Sequence, residues 1–133
     1  MAEGATIAGF ARQIDGAGDI NGDGIDDIVI GTRLDPFDRE DAGETFILYG
    51  KVGGIGNIDD LTAISAAQGF RISGAEQYDG TGYAVSAAGD INGDGIDDLI
   101  IGSLGEEPSG FYSAGLAYVV YGKAGGPGDI DLA

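Results

Sequence analysis

The chain has 133 residues, a usual length for one domain, and 43% of them are apolar, enough for a packed core. Its 23 acidic and 6 basic side chains leave a net charge of −17, which argues against nucleic acid and anionic membrane surfaces and favours a cationic partner. With no Cys and no His, the chain has no disulfide, no thiol chemistry and none of the usual nucleophile–base triads.

The first residues, Met1 to Gly4, lack the basic region and apolar run of a secretory leader. No apolar segment is long enough to cross a bilayer. The 27 Gly against 3 Pro predict short strands joined by tight turns, with little helix. In chain order the predicted strands are 13–18, 27–31, 45–49 and 69–73, then 83–89, 98–102 and 116–121. The strands at 27–31, 45–49 and their later counterparts are continuous apolar runs rather than alternating ones. Such strands are covered on both faces, as in blades sandwiched between neighbours. Their β-branched residues (Ile28, Val29, Ile30, Ile100, Ile101) and flanking Gly favour strand over buried helix.

These elements form an internal duplication. The segment from Asp19 to Asp27 recurs letter for letter from Asp90 to Asp98. Phe46-Ile47-Leu48-Tyr49-Gly50-Lys51 is answered by Tyr118-Val119-Val120-Tyr121-Gly122-Lys123. The repeating unit is thus about 70 residues, longer than the commonest propeller blades.

The repeated nonapeptide is a cation loop by chemistry. Calcium takes about six to eight oxygens, and a loop curling round it aims alternate side chains inward. Positions one, three, five and nine are Asp19, Asn21, Asp23 and Asp27 in the first copy and Asp90, Asn92, Asp94 and Asp98 in the second. Position six is Gly24 or Gly95, where a left-handed backbone is cheap. Position seven, Ile25 or Ile96, offers its carbonyl oxygen and frees its side chain for the core. A plain turn needs one Asx-Gly pair, whereas four carboxylates in nine residues repel one another without a counter-ion. The position-eight residues, Asp26 and Asp97, are expected to be solvated or to bond their own turn. An EF-hand would need Glu at position twelve, where Ile30 and Ile101 stand.

From Ala17 to Gly31 and from Ala88 to Gly102 the sequence resembles FG-GAP repeats, the units of integrin alpha-chain β-propellers. Gly9-Phe10 and Gly82-Tyr83 resemble the family's aromatic–Gly element in reverse order. The family's Gly-Ala-Pro is replaced by Gly31-Thr32-Arg33 and Gly102-Ser103-Leu104. The resemblance implies an all-β fold of propeller blades with four antiparallel strands, two blades per chain. It implies structural Ca2+ in each blade, held by the positions named above, and an extracellular or cell-surface setting.

Propellers have about four to eight blades. The expectation is therefore a homo-oligomeric ring, trimer or tetramer, in which residues 1–9 are exchanged with a neighbour, since Gly4 to Gly9 resembles Gly69 to Gly74. The units are expected at 1–73 and 74–133. The function expected is a scaffold or protein-adhesion module. Ligand contact, with protein or glycan, is expected in the loops 34–44, 74–81 and 104–113, which carry Phe37, Tyr78, Phe111 and Tyr112. The alternatives are a carbohydrate-binding propeller or a hydrolase; against the hydrolase, Glu106 and Glu107, adjacent in sequence, are expected to diverge. No catalytic residues are assigned.

Overall fold

A computed structural model of the chain describes residues 4–9, 11–32, 43–74, 80–104 and 115–132. Among these residues eight strands form: β1 Gln13–Gly18, β2 Asp27–Thr32, β3 Glu44–Leu48, β4 Gly69–Ser73, β5 Ala84–Gly89, β6 Asp98–Ser103, β7 Leu116–Val120 and β8 Ile130–Asp131. A short 3-10 turn at Leu61–Ala63 is capped by the Asp60 side chain, which accepts from the Thr62 N–H.

The strands make two sheets, in the orders β1-β2-β3-β4-β8 and β5-β6-β7. Within each, consecutive strands run antiparallel as a meander, each strand lying beside the one that precedes it in the chain. The first sheet has the four antiparallel strands expected of a blade. The second has three among the described residues. The fifth strand of the first sheet, β8, comes from the second unit and pairs parallel with β4, Ile72 opposite Ile130. The same relation appears near the N-terminus, where Ile7 bridges Ile58 in parallel.

One apolar cluster lies between the sheets. Val29, Ile47, Phe70 and Ile72 of the first unit meet Val85, Leu99, Ile101 and Val120 of the second. The other face of the first sheet buries Ile30, Phe46 and Leu48 beneath Ile58 and Leu61, which follow β3. So β2 and β3 are covered on both faces, as their unbroken apolar runs require. Their counterparts β6 and β7 are less covered: Ile100, Leu116 and Val119 are exposed.

The inner strands β1 and β5 approach each other closely, and the Ser86 hydroxyl donates to the Asp15 carboxylate at 2.9 Å. Small residues permit this. A side chain at Gly31 would run into the Gly82 carbonyl across the gap. Among the described residues no helix is long and apolar enough to cross a membrane.

Candidate metal centre

Each nonapeptide links the first two strands of its unit. The register of β1 against β2 shifts between Gly16 and Gly18, and that of β5 against β6 between Ala87 and Gly89. The bulge, with Gly18 and Gly89 at positive φ, splays the hairpin so that a nine-residue loop can curl at its end. Position nine is the first residue of the following strand, which anchors the loop to the sheet.

The loop is held by its own side-chain oxygens. The Asp19 carboxylate accepts from the Asp23 N–H at 3.0 Å and the Gly24 N–H at 2.8 Å. The Asp23 carboxylate accepts from the Ile25 N–H at 2.9 Å, and the Asn21 side-chain oxygen accepts from the Asp23 N–H at 3.3 Å. The second loop repeats this. Asp90 accepts from Gly93, Asp94 and Gly95, Asn92 from Asp94, and Asp94 from Ile96. Gly24 and Gly95 have φ of 83° and 86°, a conformation that turns these N–H groups back toward position one. The N–H groups, led by that of Gly95, hold the Asp90 carboxyl below its ordinary range.

Position nine differs, being buried in both units. The Asp27 carboxylate takes the Ile20 N–H at 2.9 Å on one oxygen and the Gly50 N–H at 2.8 Å on the other. Asp98 takes Ile91 and Gly122, both at 2.8 Å. Burial pushes the Asp27 carboxyl above its ordinary value. The Gly50 and Ile20 N–H groups oppose that rise, and the charges of Asp23 and Asp19 add to it.

Positions one, three and five therefore belong to one curled loop, and position nine closes it at the strand end. As they stand, no three acidic side chains among the described residues are grouped closely enough to hold a metal ion. The donor set nonetheless fits a hard divalent cation in kind. Every side-chain donor is oxygen, each carboxylate oxygen has lone pairs beyond the N–H it accepts, and the buried Asp27 feels the like charges of Asp23 and Asp19. An open cavity of about 370 Å³ adjoins the first loop, lined by Asn21, Asp23, Tyr49 and Lys51 among others, so that loop is reachable from solvent.

Two expectations are corrected. The position-seven residues Ile25 and Ile96 do not enter the core; they are half-buried, and a side chain at Gly50 or Gly122 would run into them. The core residue of the first loop is Ile20 at position two, drawn inward because its own N–H bonds the buried Asp27. Asp97 does not bond its own turn. Its carboxylate accepts the Asp19 N–H of the other loop at 2.9 Å, and its N–H donates to the Asp19 carbonyl at 3.1 Å. Lys123 and Gly125 donate to the Ile20 and Asn21 carbonyls, so the backbone of the first loop's first three positions is bound by the second unit.

Sequence reasoning missed Gly50 and Gly122, whose N–H groups bond the position-nine acids. Their signal was the repeated Tyr-Gly-Lys after β3 and β7. A side chain there would collide with the carbonyl of Asp26 or Asp97, so only Gly serves. Phe10, Phe37, Tyr78, Phe111, Tyr112, Glu106 and Glu107 lie outside the described residues.

The FG-GAP repeat pattern matches residues 10–48 and 81–120. Integrin alpha-PS2 of Drosophila melanogaster is 32% identical over 114 residues, covering 82% of this chain and 7% of that protein. Integrin alpha-2 of Mus musculus is 32% identical over 104 residues, covering 78% of this chain and 8% of that protein. Integrin alpha-M of Mus musculus is 31% identical over 99 residues, covering 72% and 8%. The chain thus spans under a tenth of the length of these relatives.

Proposed function

The chain belongs to the FG-GAP repeat family, and on that premise we propose that it is a calcium-binding β-propeller module serving protein interaction or adhesion, with no catalytic role of its own. The observation that carries the calcium reading is the duplication of one oxygen-rich loop with one hydrogen-bond network, each closing on a buried aspartate. Bound calcium would supply the positive charge that these acids lack.

The residues that would hold it are Asp19, Asn21, Asp23 and Asp27 with the Ile25 carbonyl, and Asp90, Asn92, Asp94 and Asp98 with the Ile96 carbonyl. The chain's own contribution is to pre-curl each loop through its N–H groups and to fix position nine at a strand end. Calcium here is structural: it ties the loop between the first two strands of a blade to its sheet. We read 1–73 and 74–133 as the two blade units, in a ring completed by three or four identical chains. The integrin alpha relatives favour an extracellular or cell-surface setting and a protein partner.

Isothermal titration of the chelator-treated chain with Ca2+ tests this reading. Two sites per chain are expected. No heat of binding at millimolar Ca2+, with the chain folded, overturns it.

A further inference from the structure

Strands β1, β2 and β3 and strands β5, β6 and β7 pair in the same way and carry the same loop, but their coverings differ. Ile20, Val29 and Ile47 are each 0% exposed, because the second unit packs on that face of the first. Their counterparts in the second unit, Ile91, Ile100 and Val119, are 53%, 40% and 43% exposed. The converse holds on the opposite side. Val85, which faces the first unit, is 4% exposed, while its counterpart Ile14 is 59% exposed. The second unit therefore presents the first unit's half of the seam again, and the first unit presents the edge of the other half at Ile14, while Ile30 and Leu48, the counterparts of Ile101 and Val120, lie under Ile58 and Leu61 of their own unit.

The polar half of the seam is duplicated as well. Within the chain, Asp97, Lys123 and Gly125 bind the backbone of Asp19, Ile20 and Asn21. The first unit carries Asp26, Lys51 and Gly53 at the positions of those donors. The second carries Asp90, Ile91 and Asn92 at the positions of those acceptors.

The segment before β1 fits the same scheme. Ile7 bridges Ile58 as Ile72 pairs with Ile130. The Thr6 N–H donates to the Asn57 side-chain oxygen at 3.0 Å, as the Arg71 N–H donates to the Asp129 carboxylate at 2.8 Å. Residues 4–8 thus hold the place that β4 holds, but as the outer strand of a blade preceding the first unit. The strand such a segment pairs with is β3, whose counterpart β7 ends the second sheet.

We propose that the second unit of one copy docks on the first unit of another, repeating the internal seam, with residues 4–8 of the incoming copy completing the blade of β5, β6 and β7. This rests on the propeller reading above and names its partner: a second copy of this chain, joined head to tail. Thr6 then lies opposite Tyr118 as Arg71 lies opposite Phe46, and Ile7 opposite Ala117 as Ile72 lies opposite Thr45. The two faces are different surfaces, so the contact is heterologous and closes only as a ring. With a net charge of −17 on each copy, association is expected to strengthen with salt and with Ca2+.

The chain has no Cys, so single thiols can be placed at will. Asp15 and Ser86 touch across the internal seam and would touch again across the new one. Chains carrying Asp15→Cys are mixed with chains carrying Ser86→Cys and treated with a short thiol-specific cross-linker in Ca2+ and in EDTA. The mixture is expected to give covalent dimers at least tenfold in excess of either variant alone. Equal cross-linking of each variant alone, or none in the mixture, overturns the proposal. Light scattering is the second measurement. The wild-type chain in Ca2+ is expected at three or four times the 13.4 kDa of one copy. Val119→Asp and Ile14→Asp are each expected to reduce it to one copy, and a 1:1 mixture of the two to restore a pair through the one intact seam. A wild-type chain that remains a single copy at high micromolar concentration overturns the proposal and points to another occupant of the exposed face. Failure of these tests with two Ca2+ still bound leaves the calcium reading standing, so the two readings fail separately.

Discussion

The Asp97 carboxylate, at position eight of the second loop, accepts the backbone N–H of Asp19, position one of the first, at 2.9 Å. Asp97 returns its own N–H to the Asp19 carbonyl at 3.1 Å. The two candidate cation loops are therefore joined, and the side chain that joins them is not among the proposed ligands. Removing it with Asp97→Ala leaves a partly buried N–H without its acceptor, a loss of about 1–3 kcal/mol. Asp97→Asn keeps one oxygen and is expected to recover most of that. Urea unfolding midpoints of the two variants check this, and an equal loss in both would show that charge rather than the hydrogen bond matters.

Chelation is expected to weaken the fold at both loops together. A site held at one hundred times its dissociation constant contributes about 2.7 kcal/mol, and two such sites are comparable with the roughly 5–15 kcal/mol total of an ordinary domain. A change of about 1 kcal/mol moves the melting temperature of a domain this size by about 2–8 °C. Excess EDTA should therefore lower the melting temperature by more than about 10 °C, and added Ca2+ should restore it. Melting followed by circular dichroism reads this directly; coincident curves with and without EDTA would contradict it.

Much of this architecture was legible in the sequence. Seven strand sites were marked by short segments bounded by Gly, four of them (β2, β3, β6 and β7) continuous apolar runs, and all seven are strands among the described residues. The eighth, Ile130–Asp131, has two residues in a Gly-rich stretch and pairs with a strand far back in the chain, so no local periodicity marks it. Its faint signal was the repeat itself, Asn57-Ile58-Asp59 answering Asp129-Ile130-Asp131. The loop's polar pattern was equally plain, but spacing within one loop says nothing of what the neighbouring unit brings to it. That is why Asp97, the donors Lys123 and Gly125, and the exchange of Ile20 for Ile25 in the core were not foreseen.

Acid dependence separates the metal-free chain from the loaded one. In the metal-free fold burial raises the Asp27 carboxyl above its value of 3.8 in the unfolded chain. Folded Asp27 then keeps its proton over a range where the unfolded chain has released it. This contribution to stability is full below the unfolded value and is lost as pH rises through the folded one. With calcium bound the sign reverses, because a ligand must be ionised, so stability gained from the ion grows with pH. Asp27→Asn removes both terms. Stability measured against pH from about 4 to 7 should fall in wild type relative to Asp27→Asn in EDTA, and rise relative to it in Ca2+. The same sign in both media would refute the assignment.

The identical isoleucines Ile20 and Ile91 give the most direct comparison of the two units. They stand at position two of loops with one sequence and one hydrogen-bond pattern, each donating its N–H to the position-nine acid. Only the covering differs: Ile20 lies in the core between the sheets, and Ile91 is exposed. Ile20→Ala removes buried methyl groups and leaves a cavity, a loss of about 2–5 kcal/mol. Ile91→Ala in a dilute, single-copy chain removes surface contact alone and should stay within about 0.5 kcal/mol. At concentrations where copies associate, Ile91 takes the place that Ile20 has in the internal seam. Ile91→Ala should then weaken association, while Ile20→Ala should lower unfolding stability at every concentration. Unfolding midpoints across a hundredfold range of chain concentration distinguish the two. A concentration-independent loss at Ile91 would mean that its face is already covered within one chain, and the exposure difference between the units would have no energetic consequence.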